Sequence, residues 1–193
     1  MSRLGILFLL LNIHCFTFAQ TNDFSAAVWQ VIDGFNQQDN RKINSLIDER
    51  KGVIVLTRLG VIERLELSQK IDFKKPIPEY LPYSGVSPPI PKEIKAGNLP
   101  QYNCDNDSWS KVGIYFIESN QDALFMRIVD FLIQFNEAKI EQVQYQYYRF
   151  INENSRRVVA VDSEGNALVF YLTKIKDNWY LTIIDRVSDD CSA

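Results

Sequence analysis

Apolar residues at Phe24, Ala27, Val28, Val31, Ile32 and Phe35 recur at the three- and four-residue spacing of one helical face. Asp23 precedes them as an N-cap, so the pattern predicts a helix running to about Gln38. Trp29 lies off the stripe, as a residue flanking the core. Asp39-Asn40 breaks this helix and caps a shorter one with Ile43, Leu46 and Ile47 on its buried face and Gly52 at its end. Val53–Leu56 is a β-branched run and reads as a strand. Leu59-Gly60-Val61 then bends the chain into a second extended or helical segment ending near Phe73, with Arg58, Glu63, Arg64 and Glu66 as a solvated polar rim.

Further on, Val112, Ile114 and Phe116 alternate within Lys111–Glu118 and predict another strand. Ser119 or Asn120 caps a helix to about Glu137, whose stripe is Leu124, Ile128, Phe131, Leu132 and Phe135, broadened by Phe125, Met126 and Val129. A helix apolar on most sides packs between layers. From Lys139 onward the pattern turns to period two. Val143, Tyr145 and Tyr147 alternate with Gln142, Gln144 and Gln146, which predicts a long strand over Lys139–Ile151. Arg157–Val161, Ala167–Ile175 and Trp179–Val187 follow, separated by the turns Asp162–Asn166 and Lys176–Asn178. The expected fold is α+β: N-terminal helices and one central helix packed on a curved antiparallel sheet that ends in a four-stranded meander.

All seven prolines lie between Pro76 and Pro100. Proline withholds the donor that helices and ladders need, so residues 76–101 are expected as an irregular insertion. Long loops of this kind serve as lids, rims or binding loops. Tyr80, Leu81, Tyr83 and Ile90 give this one apolar groups with which to dock on the body.

At the N-terminus, Arg3, the run Leu4–Leu11 and the ending Thr17-Phe18-Ala19 have the layout of a cleaved signal peptide over residues 1–19. The run is shorter than the roughly 20 apolar residues that span a bilayer. Residues 20–193 are then a single domain, secreted or periplasmic, with no membrane span after cleavage. His14 before Cys15 argues against a lipid anchor, because that position calls for a small residue.

The formal net charge is −3 with both signs mixed, so no nucleic-acid surface is expected. The single histidine, His14, falls in the leader. Its loss removes histidine bases, Ser-His and Cys-His nucleophiles and histidine metal sites from the expected chemistry. Cys104 and Cys191 remain, and an exported chain with two cysteines is expected to join them in a disulfide.

No phosphate loop, nucleophile elbow or EF-hand is present, and no cofactor is expected. Three constellations stay open. A Cys104–Cys191 bridge would gather Asp105, Asp107, Asp189 and Asp190, either a solvated acidic patch or a weak calcium site. Asp185, sharing a strand face with Trp179, Leu181 and Ile183, is a candidate catalytic base if buried, with Tyr145, Tyr147 and Tyr171 as hydroxyl donors. Its alternative is an ion pair with Arg149 or Arg186. Tyr145, Tyr147, Tyr171 and Trp179 are candidate ligand-binding residues, in a stretch whose aromatics also suit core packing.

The order of elements, the helix Asn120–Glu137 leading into Lys139–Ile151, and the closing Asn178-Trp179-Tyr180-Leu181-Thr182 resemble the NTF2-like (cystatin-like) α+β cone. The tone also resembles small exported bacterial proteins of uncharacterised families. That resemblance covers most of residues 20–193 apart from the proline-rich insertion, and it implies helices seated in a bent sheet with a pocket in the concavity. The leading expectation is a non-enzymatic exported domain that binds a small apolar or amphipathic ligand, or a protein partner, on the concave face. A histidine-free isomerase or lyase using Asp185 with tyrosine donors, and a structural envelope interaction protein, are the alternatives. A homodimer through the sheet is a further expectation.

Overall fold

The computed structural model describes residues 23–88 and 90–191; residues 1–19, expected to be a signal peptide, lie outside them. Helices α1 (Phe24–Asn36) and α2 (Asn40–Asn44) open the described chain, capped by Asp23 and Asp39, whose carboxylates accept backbone N–H bonds. Strands β1 (Val53–Leu59) and β2 (Ile62–Ser68) form a hairpin. Next come β3 (Ile94–Ala96) and a small ribbon of β4 (Tyr102–Asn103) and β5 (Ser108–Trp109). After β6 (Gly113–Glu118) and a 3-10 turn lie α3 (Leu124–Gln134) and α4 (Gln142–Asn154). Strands β7 (Ser155–Val161), β8 (Ala167–Ile175) and β9 (Asn178–Asp185) close the chain.

Seven strands form one sheet in the order β2-β1-β9-β8-β7-β6-β3. The pairings β1·β9 and β3·β6 are parallel and the rest antiparallel, so the fold is α+β around a mostly antiparallel, mixed sheet. Gly52 sets the entry to β1. Its φ is +71°, and a Cβ there would stand 2.4 Å from the Ser68 carbonyl oxygen.

One expectation is overturned. Lys139–Ile151, read as the long first strand of a meander, is instead the helix α4. Val143, on the apolar side of that alternation, is 83% exposed, whereas Tyr148 and Ile151, three apart, are buried. The Gln144 side chain donates to the Tyr148 hydroxyl at 2.6 Å, one helical turn on. Three alternating pairs are too short a run to separate period two from 3.6, and glutamine favours helix. The meander therefore has three strands, β7–β9, and β6 takes the fourth antiparallel place beside β7.

Helices cover both faces of the sheet. On one face α1, α2 and the proline-rich segment pack over Val53, Val55, Val158, Phe170, Leu181 and Ile184. On the other, α3 and α4 pack over Ile54, Leu56, Tyr171 and Ile183, and Leu99 and Trp109 cover Val159, Val161 and Val169. Side chains of alternating direction thus enter two separate cores, which is why β1, β8 and β9 are apolar nearly throughout. A register shift at Tyr171/Leu172 marks a bulge in β8. Beside it, the hydroxyls of Ser155, Thr173 and Thr182 form a buried chain with 2.6 Å steps that ends on the Ile151 carbonyl. Each buried oxygen in it is satisfied without water.

Before Ile94 the described part of the proline-rich segment is irregular, as expected, but Ile94–Ala96 within it joins the sheet as β3, and the segment is fastened rather than loose. Its Val86 amide donates to the Asn36 side chain at 2.8 Å and its Ser87 amide to Asp162 at 2.7 Å. Tyr83 packs edge-on against Phe35 and Phe73. The Arg186 guanidinium donates to the carbonyls of Ile77, Leu81 and Pro82 at 2.6–2.8 Å. Cys104 and Cys191 form the expected disulfide, with Cα atoms 5.7 Å apart across 87 residues.

Candidate functional site

Two features meet where β1 and β9 end: an open cleft and a buried ion-pair network. The cleft has a volume of about 660 Å³. Leu168 and Ile184 lie in its floor, Tyr80, Leu81 and Pro82 form one wall, and Asp189, Asp190 and Cys191 form another. Tyr80 and Leu81 are exposed there, an apolar lip held in place by Arg186 beneath them. Arg58 ties the opposite wall together by donating to the Asp190 carbonyl and, at 3.0 Å, to Glu63. Burial opposes the Glu63 charge, but hydrogen bonds from Arg127 and Arg58 outweigh it and hold the carboxyl below its ordinary range.

Asp185 borders this cleft from within the sheet, and its side chain is fully buried. One oxygen accepts the amides of Val187 and Ser188 at 3.0 and 3.1 Å. The other accepts Arg157 at 2.8 Å and the Ser188 hydroxyl at 2.7 Å. Arg157 reaches it diagonally from β7 across β8, over the Tyr171 ring, and also binds Asp122. The expected partners are elsewhere. Arg149 pairs with Glu153 on α4, and Arg186 serves the proline-rich segment. With four donors on its two oxygens, Asp185 has little capacity left to take a substrate proton.

Tyr171 is completely buried beside the network, and its hydroxyl has no hydrogen-bond partner among the described residues. Burial pushes its pKa well above the ordinary value even with Arg157 close, so the phenol stays neutral. Tyr145 and Tyr147 lie on α4 rather than on a strand. The Tyr145 hydroxyl donates to Asp130, while burial, then the Asp48 charge, pushes Tyr147 up to about 12. Trp179 sits on the opposite face, where with Phe24 and Phe116 it encloses the Arg156 guanidinium at 4.6–5.0 Å. None of these four aromatics is among the residues lining the cleft.

The disulfide does bring acidic residues together: Asp107, Asp189 and Asp190 all line the cleft, and Asp105 does not. Asp107 accepts the Tyr102 hydroxyl. Asp189 is an exposed residue of the cleft wall, and partial desolvation, then the Asp185 charge, raises its pKa. Among the described residues, no group of three or more carboxylates, cysteines or histidines is arranged to hold a metal ion, so the calcium reading has no converging ligand set.

No protein-family model, curated protein or solved structure matches the chain.

A second cavity, of about 760 Å³, lies beside the β4–β5 ribbon. Asp122 and Arg157 are among its lining residues, so the ion-pair network borders both hollows. Sequence reasoning missed Arg157. The available signal was a charge on the same alternating row as the apolar Val159 and Val161.

Proposed function

We propose that the protein is an exported, non-catalytic domain that binds a small amphipathic ligand in the cleft at the ends of β1 and β9. The observation carrying this reading is the cleft itself, whose volume of about 660 Å³ suits a small ligand. Leu168, Ile184, Leu81 and Tyr80 supply apolar surface for the ligand's body. Arg58 and the carboxylates of Asp189 and Asp190 supply a polar end. The proline-rich segment acts as a fixed rim, because five backbone groups within it are bound by Asn36, Asp162 and Arg186. Export is supported by the leader-like pattern of residues 1–19 and by the disulfide.

The site so placed differs from a pocket in the concavity of an NTF2-like cone. Support for that family remains the α+β order and the bulged antiparallel run β6–β9. The isomerase or lyase alternative has less support, because both Asp185 oxygens are occupied and the Tyr171 hydroxyl makes no bond to them. Titration with the neutral amphipathic fluorophore N-phenyl-1-naphthylamine tests the binding reading. Saturable binding that is lost in Leu81→Asp and weakened in Tyr80→Ala is expected, since both side chains are exposed in the lip of the cleft. Absence of saturable binding, or binding unaffected by L81D, overturns it.

A further inference from the structure

Among the described residues, the strand β2 ends the sheet and its outer backbone edge has no ladder partner. It is a full-length strand of seven residues, unlike the three-residue β3 at the opposite edge. Natural edges of this length are ordinarily blocked by charge, a bulge or a covering element. In the β2 sequence, Ile62-Glu63-Arg64-Leu65-Glu66-Leu67-Ser68, the exposed Arg64 and Glu66 flank Leu65 symmetrically and carry opposite signs.

The hairpin determines which backbone groups face outward. Its two-residue turn, Gly60-Val61, closes on the pair Leu59·Ile62, the hydrogen-bonded pair of such a turn. Alternation along the register then directs the N–H and C=O of Ile62, Arg64, Glu66 and Ser68 to β1. The backbone groups of Glu63, Leu65 and Leu67 point away from the sheet.

We propose that a second copy of this chain pairs with that edge, β2 against β2 antiparallel, about a two-fold axis through Leu65. Charge selects the register. Faces match only when the strands slip by two residues at a time. Centring on Arg64 sets that arginine against its own copy, and centring on Glu66 sets two glutamates face to face. Centring on Leu65 crosses each Arg64 with the other copy's Glu66, twice by symmetry. These crossed pairs fall at non-hydrogen-bonded positions, where opposing side chains stand closest. Glu63, Leu65 and Leu67 meanwhile exchange backbone bonds with the other copy's Leu67, Leu65 and Glu63. On the face toward α3, Leu65 meets its copy, and Leu67, 47% exposed in the single chain, lies diagonal to it. The edge charges thus repel two neighbouring registers and permit this one, joining two seven-stranded sheets into a continuous one.

Sedimentation velocity across a concentration series tests this with charge swaps at two exposed positions that leave both cores untouched. The native chain is expected to dimerise. R64E and E66R each turn two attractive pairs into two repulsive ones and are expected to weaken the dimer by about ten-fold or more. The double variant R64E/E66R restores both crosses and is expected to return to the native association constant. A chain that stays monomeric at high micromolar concentration overturns the proposal. So does a dimer that ignores either single swap, or a double variant no better than the singles.

Discussion

Replacing Arg157 by methionine is the sharpest test of what holds the centre of this molecule. Methionine keeps most of the aliphatic volume over the Tyr171 ring and removes the charge. Two carboxylates then lose a partner. Asp122 keeps 18% of its side-chain surface and can recover water, whereas Asp185 has none. The loss is therefore dominated by one stranded buried carboxylate, whose removal from a pair costs about 3–5 kcal/mol. Asp185 retains the two amides and the Ser188 hydroxyl, which places the expected value toward the lower end. Set against a total of about 5–15 kcal/mol for a domain, that is a large share. Asp185→Leu alone leaves Arg157 with Asp122 and is expected to cost about as much. The double variant Arg157→Met with Asp185→Leu removes both buried charges, so it should lose less than the sum of the singles by about 2 kcal/mol or more. Urea unfolding followed by tryptophan fluorescence, with the disulfide intact, measures all three against the native chain. An R157M variant within about 1 kcal/mol of native, or strict additivity in the double, would refute the claim that this pair is buried and coupled.

Two further predictions follow from the same geometry. Replacing Cys104 and Cys191 by serine frees the end of the chain from the β4–β5 ribbon. The loop of 87 residues implies a loss of about 4.6 kcal/mol in unfolding free energy by the chain-entropy estimate; the oxidised native chain should also show no free thiol at these positions in a thiol assay. The carboxyl of Glu63, held below its ordinary range in the folded state, contributes stability above the unfolded carboxylate pKa. That contribution is lost as pH falls through the depressed folded value. In Glu63→Gln, unfolding free energy between neutral and acid pH should flatten by about 1 kcal/mol, discounted because Arg127 is half exposed; an unchanged acid slope would sink that assignment.

Much of the fold was legible in local pattern. Asp23 and Asp39 cap their helices where the chain places them ahead of an apolar stripe, because capping needs only neighbours within one turn. The strands β6, β7, β8 and β9 were foreseen from alternation or β-branched runs bounded by turn residues. The disulfide followed from cysteine count and the expected compartment. The helix α4 was misread because Val143, Tyr145 and Tyr147 satisfy a two-residue period as well as part of a helical one. What decides it is burial of Tyr148 and Ile151 against Phe125 and Tyr171, partners distant in sequence.

The sequence by itself settled which residues are apolar, where the turns fall, that proline concentrates in one segment, and that histidine is missing from residue 15 onward. Those are consequences of local chemistry, and they reach only as far as a turn or a strand. Tertiary structure alone decided that helices cover both sheet faces, that Arg157 rather than Arg149 or Arg186 meets Asp185, and that the cleft lies at the strand ends rather than on a concave face. Each of these depends on register between strands far apart in the chain. A diagonal contact such as Arg157 to Asp185 exists only once β7, β8 and β9 are aligned, and a displacement by one residue would turn either side chain into the opposite core.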